Sequence, residues 1–229
     1  MKWSSAVSDN ITLSKAVAEC AARIRQELGD QTPDLVVTFV SAHHVQGYGT
    51  VPQLVRDHLG ECVILGCSGG GVIGAGQEVE RRPGFAITAA VLPEVAIAPF
   101  HIEDDQLPDG DAPPDRWAEL VGVTPGQSPC FVLLADPFSV RGDQLLMGLD
   151  FAFPGSVKIG GLASGANRPD GNALYLRDRA YASGAVGVAL FGNIAVDTIV
   201  AQGCKPIGQP MHITACERNV LLELDGHTP

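Results

Sequence analysis

One order of elements is written twice in this chain, and that repetition limits the folds open to it. An apolar run, Val63-Ile64-Leu65, leads straight into Gly66-Cys67-Ser68-Gly69-Gly70-Gly71-Val72-Ile73-Gly74. A second run, Val157-Lys158-Ile159, leads into Gly160-Gly161-Leu162-Ala163-Ser164-Gly165. Before each lies a buried-strand signal, Leu35–Val40 and Ser128–Asp136, and a helix, Val51–Leu59 and about Gly142 to Ala152. After each comes what reads as a hairpin, Phe85–Ile102 and Ala185–Val200. The spacing between equivalent features stays near roughly 95 residues, the signature of an internal duplication.

Two strand–helix–strand–loop–hairpin halves, about 33–102 and 128–200, therefore predict an α/β (α+β) protein. Its mixed sheets would carry helices outside, in an αββα-like arrangement related by a pseudo-twofold. The chain reads as a single domain over 1–229. Residues 103–115 combine acids with prolines and have no Lys or Arg, so they read as a surface linker. A leading helix over 12–28, a short helix near Trp117, and two late strands at His212–Cys216 and Asn219–Gly226 complete the pattern.

Charge and cysteines narrow the function. A net charge of −11 with no basic cluster argues against nucleic acid. None of the 6 cysteines forms a Cys-x-x-Cys pair, which fits a reducing cytoplasm better than a disulfide framework or a metal site. No apolar run reaches membrane-spanning length, and the N-terminus has no signal-peptide core. A cytoplasmic protein without metal or cofactor is expected.

Glycines that take positive φ can turn successive N–H groups toward one point and cradle a carboxylate. The candidate ligand-binding residues are accordingly Gly66, Cys67, Ser68, Gly69, Gly70 and Gly71 on one loop, with Gly160, Gly161, Ser164 and Gly165 on the other. His43, at the end of a strand, joins them. Gly66-Cys67-Ser68-Gly69-Gly70 also matches the G-x-S-x-G elbow, but the glycines beyond it are poor helix formers, and an elbow must feed a helix. A hydrolase using Cys67 or Ser68 with His43 is the alternative in enzyme chemistry. Gly69-x-Gly71-x-x-Gly74 lacks the helix a dinucleotide needs. Asp136, at the equivalent strand end, can bind an ammonium group or cap the turn at Pro137. With so little catalytic pattern, binding outranks chemistry.

The Val63–Gly74 stretch, Glu78-Val79-Glu80, Gly184–Leu190, the run Gln202-Gly203-Cys204-Lys205-Pro206-Ile207-Gly208 and the ending Glu223-Leu224-Asp225-Gly226 together resemble the N-terminal half of FIST (F-box and intracellular signal transduction) proteins. The resemblance implies a sensory domain that binds a small ligand such as an amino acid. It also implies a partner in the family's C-terminal half or another signalling output module, with that half absent from this sequence. Gln202, Gly203 and Cys204 join the expected ligand contacts on this ground. A protein-interaction scaffold is a further alternative.

Overall fold

The chain opens in a strand that no apolar alternation announces. In β1 (Lys2–Ser8) the buried positions include Ser4, Ala6 and Ser8, small residues over which helix α1 (Leu13–Leu28) packs directly. The computed structural model describes residues 1–199, 207–218 and 220–229. The chain divides into two units, Met1–Asp197 and Thr198–Pro229.

After α1 come β2 (Leu35–Ser41), α2 (Val51–Leu59), β3 (Val63–Gly69), β4 (Gly71–Gly74), β5 (Gln77–Glu80) and β6 (Phe85–Val91). The order then runs β7 (Val95–Ile102), α3 (Pro114–Val121), β8 (Cys130–Ala135), α4 (Gly142–Ala152), β9 (Lys158–Leu162), β10 (Leu174–Leu176), β11 (Arg179–Tyr181) and β12 (Ala185–Gly192). One sheet has the order β1-β6-β2-β3-β10-β11 and the other β7-β12-β8-β9. The parallel pairs are β2–β3 and β8–β9, each joined through a helix. The remaining pairs in these two sheets are antiparallel. The β4–β5 hairpin forms a small sheet of its own.

The two large sheets face each other across one core layer. Leu35, Leu65, Cys67 and Leu92 from the first meet Leu134, Val186, Val188 and Leu190 from the second. On the outer faces, α1 and α2 cover the first sheet through Val17, Ile24 and Val55. The second is covered by α3 and α4 through Trp117, Leu145 and Leu149. The predicted α/β class with mixed sheets and outer helices is the observed one. Each fully buried Leu, Ile or Val removes enough apolar surface from water for ~1.5–3 kcal/mol, so the three layers of contact supply the main stabilising term.

Three expectations differ from the structure. Phe85–Ile102 is not a hairpin: β6 belongs to the first sheet and β7 to the second. The Pro93-Glu94 turn steps across the sandwich, with Glu94 at φ 62°. Two mainly apolar strands pack equally well side by side or face to face, so their pattern does not separate the cases. Ile194–Ile199 forms no strand, and Val200 lies outside the described residues. The acidic stretch 103–115 is anchored rather than loose. Leu107 is buried, and Asp104 accepts hydrogen bonds from the Arg141 backbone N–H (2.8 Å) and Nε (3.0 Å). Those bonds hold the Asp104 carboxyl below its usual pKa.

The second unit contains the antiparallel hairpin β13 (Ile213–Glu217) and β14 (Val220–Leu224). Its ends are tied by Asp225, which accepts from the His212 N–H at 3.0 Å.

Candidate functional site

The ends of β3 and β9 meet where the two sheets adjoin. The Ser164 N–H donates to the Ser68 carbonyl at 3.1 Å, and the Gly70 N–H donates to the Ser164 hydroxyl at 3.1 Å. Gly165 lies against Ser68 so closely that a Cβ there would stand 2.6 Å from the Ser68 Cβ and 2.9 Å from the Tyr48 hydroxyl. A buried polar chain runs on from this junction. Ser68 donates to Asn172 Oδ1 (3.0 Å) and accepts from the Ala173 N–H (3.0 Å). Asn172 Nδ2 donates to Asp136 Oδ1 at 2.9 Å, while Asp136 Oδ2 accepts from the Ser139 hydroxyl (2.6 Å) and the Phe138 N–H (3.2 Å). Ser139 in turn accepts from the Gly184 N–H at 2.9 Å. One chain of side chains thus links β3 of the first sheet to the end of β8 in the second.

A cleft of about 420 Å³ opens beside this chain, lined among others by Val45, Tyr48, Gly165, Arg168, Asp170, Asn172 and Tyr181. Tyr48 is among its lining residues. Tyr48 is 7% exposed, and its oxygen has no hydrogen-bond partner. It faces Ser68, whose own oxygen is already engaged on both sides. Burial raises the Tyr48 pKa, so the group is a neutral donor near pH 7. A buried donor left unpaired costs ~1–3 kcal/mol, a cost that a bound acceptor would remove. Arg168 and Asp170 stand at the exposed rim. Neither forms an ion pair among the described residues. Asp170 holds φ 58°, strained for a residue with a Cβ.

The glycine-cradle geometry does not form. Gly66, Cys67, Ser68 and Gly69 lie in the extended strand β3, and Gly71 begins β4. None of Gly66, Gly69, Gly70 or Gly71 takes positive φ, so their N–H groups do not converge. Glycine at 66 answers a different need: a Cβ there would lie 2.1 Å from the Thr38 carbonyl oxygen. Gly160 and Gly161 sit in β9 on a separate groove beside α4. His43 is exposed and is not among the cleft-lining residues. Its neighbour His44 is buried with Nε2 unpartnered, and burial lowers its pKa. Gln202, Gly203 and Cys204 lie outside the described residues. Of the two readings of Asp136, the turn cap is the observed one. Tyr48, Arg168, Asp170 and Asn172 were missed in the sequence, where only the turn-rich run Asn167–Asn172 could have drawn attention.

The thiol chemistry is also absent from the geometry. Cys67 is 4% exposed, and burial pushes its pKa up to about 12, which leaves it almost wholly protonated at neutral pH. In the folded protein, Cys67 is expected to resist a maleimide that labels the exposed Cys216. Denaturant should open it, and mass spectrometry after proteolysis reads both sites. Native labelling of Cys67 would contradict its placement.

A cleft lined by Tyr48, Gly165 and Asn172 beside the junction of two sheets belongs to a domain of mixed α/β class. The chain belongs to the FIST N domain family, whose model matches residues 34–227. FIST domains are a family of sensory domains in signal transduction. The chain is similar to an uncharacterized protein of Mycobacterium tuberculosis, Rv0628c (strain ATCC 25618 / H37Rv). The two are 31% identical over 226 residues, covering 97% of this chain and 56% of that protein. It is also similar to the uncharacterized protein Mb0898c of Mycobacterium bovis, at 27% identity over 217 residues, 94% of this chain and 54% of that one. The chain thus spans about half the length of the curated relatives it matches. Among the described residues, no helix is long and apolar enough to cross a membrane.

Proposed function

We propose that the cleft beside Tyr48 is the ligand site of this sensory domain and that it takes a small carboxylate of the amino-acid type. The observation that carries this reading is the Tyr48 hydroxyl, buried on the cleft wall without a partner. The rim supplies matching charges. Arg168 can grip a carboxylate with two parallel N–H bonds, and Asp170 can accept from an ammonium group. Asn172 makes the site a transmitter, because it lines the cleft while bonding Ser68 on one sheet and Asp136 beside the other. A ligand that repositions Asn172 biases the junction of the sheets, and couplings of ~1–3 kcal/mol are enough for signalling to an output module.

Thermal denaturation against a panel of amino acids and small dicarboxylates tests the reading. A ligand at about a hundred times its Kd adds ~2.7 kcal/mol, or ~5–10 °C for a chain of this size. Tyr48→Phe deletes only the hydroxyl and is expected to weaken binding ~10–100-fold. Arg168→Ala should remove the carboxylate preference. A flat response to the whole panel would overturn the proposal.

A further inference from the structure

The second sheet ends in an edge that nothing in its unit covers. β9 is the outer strand of the order β7-β12-β8-β9, with Ile159 37% and Leu162 61% exposed. Exposed edges usually carry an outward lysine that deters pairing. Lys158 is not free to do so: its ammonium is folded back onto Asp150 (2.8 Å) and the Phe153 carbonyl (2.6 Å), and its side chain is 7% exposed. Between this edge and α4 runs an apolar groove of about 590 Å³, walled by Val140, Leu145, Leu146 and Leu162 and floored by Leu133 and Gly160.

The first sheet shows what such an edge accepts. There β3 holds the equivalent place beside the parallel strand β2, as β9 does beside β8. Its outer side is covered by β10, antiparallel, in the register Leu174↔Cys67, Tyr175↔Gly66 and Leu176↔Leu65. Tyr175 is fully buried over Gly66 among the helix-side residues, while Leu174 and Leu176 enter the layer between the sheets. Gly160 matches Gly66 in kind: a Cβ at either position would strike the carbonyl oxygen of the neighbouring strand, at Leu133 and Thr38 respectively. Over Gly66 sits a tyrosine. Over Gly160 the groove is open.

We infer that the β9 edge and the groove over Gly160 dock an antiparallel strand of a partner polypeptide that carries an aromatic side chain between two aliphatic ones. The main-chain bonds of such an added strand give affinity, and the alternate side chains give specificity. The charge of the groove selects the partner further. Asp143 is among its lining residues and forms no ion pair among the described residues, and the covering hairpin of the first sheet has Arg177 and Arg179 beside its aliphatic–aromatic–aliphatic strand. A basic flank suits this edge, whereas a second copy of a chain with net charge −11 brings like charge to it.

The test uses a synthetic peptide spanning Asn172 to Tyr181, which has this chemistry, added at millimolar concentration to the whole chain. Hydrogen exchange is read by mass spectrometry. Exchange across Ile159–Leu162 is expected to slow at least ~10-fold on binding. A peptide carrying Tyr175→Ala should lose the effect, as should a protein carrying Leu146→Lys with Leu162→Lys. Both lysines replace exposed side chains, so an unchanged melting temperature certifies the folded state. Unchanged exchange in β9, or slowing that survives the double variant, overturns the inference. So does concentration-dependent self-association in sedimentation with β9 protected, because a second copy would then be the occupant.

Discussion

Gly66→Ala is expected to destabilise the protein by about 3 kcal/mol or more, at the upper end for overpacking. The added Cβ would stand 2.1 Å from the Thr38 carbonyl oxygen and 2.8 Å from the Thr38 Cγ2. The first of these is backbone and cannot swing aside. β3 is held between β2 and β10, so a shift to relieve the clash breaks ladder bonds on one flank or the other. The loss corresponds to a fall of about 6–12 °C in melting temperature. Gly161→Ala is the control, because nothing lies within 4 Å of a Cβ at that position, and a change within ~0.5 kcal/mol is expected. Equal effects of the two substitutions would refute the steric account.

Asp136→Ala is expected to cost on the order of 3–5 kcal/mol, because it strands one buried and two part-buried donors at once. The carboxylate is 1% exposed and accepts from Asn172 Nδ2, the Ser139 hydroxyl and the Phe138 N–H. Deleting it also frees Asn172, whose Oδ1 receives the Ser68 hydroxyl and the Ala166 N–H. Loss of order should therefore reach the cleft. In urea the midpoint should fall with little change in slope. Asp136→Asn should recover part of the loss, since an amide oxygen still accepts while its NH₂ meets another donor. Full stability in the alanine variant would show that the chain of bonds is not a unit.

The helices and most strands were legible because their periodicity is unambiguous. The helix expected from about Gly142 to Ala152 is α4, and α2 ended at Gly60 as its sequence indicates. Sheet membership was not legible. Leu174–Leu176 and Arg179–Tyr181 are short strands in a polar, turn-rich stretch; the second pairs with the first, and the first pairs with β3, more than 100 residues earlier in the chain. No local pattern encodes such a partner. The glycine runs misled for a related reason: glycine marks either a positive-φ turn or a close approach of backbones, and at Gly66 the second applies. The meeting of Ser68 with Ser164 and Gly165 depends on long-range packing. The two runs do touch, through Ser68, Gly70 and Ser164, but without the positive-φ cradle expected at Gly66–Gly71.

The placement of β10 sets an order of events during synthesis. β3 is complete at Gly69, yet the strand that covers it begins at Leu174. At a translation rate of ~5–20 residues per second, the interval is roughly 5–20 s. Throughout it the nascent first sheet presents a bare, apolar margin to solvent. A chain halted before Leu174 would leave that margin uncovered, because β10 supplies the antiparallel neighbour of β3.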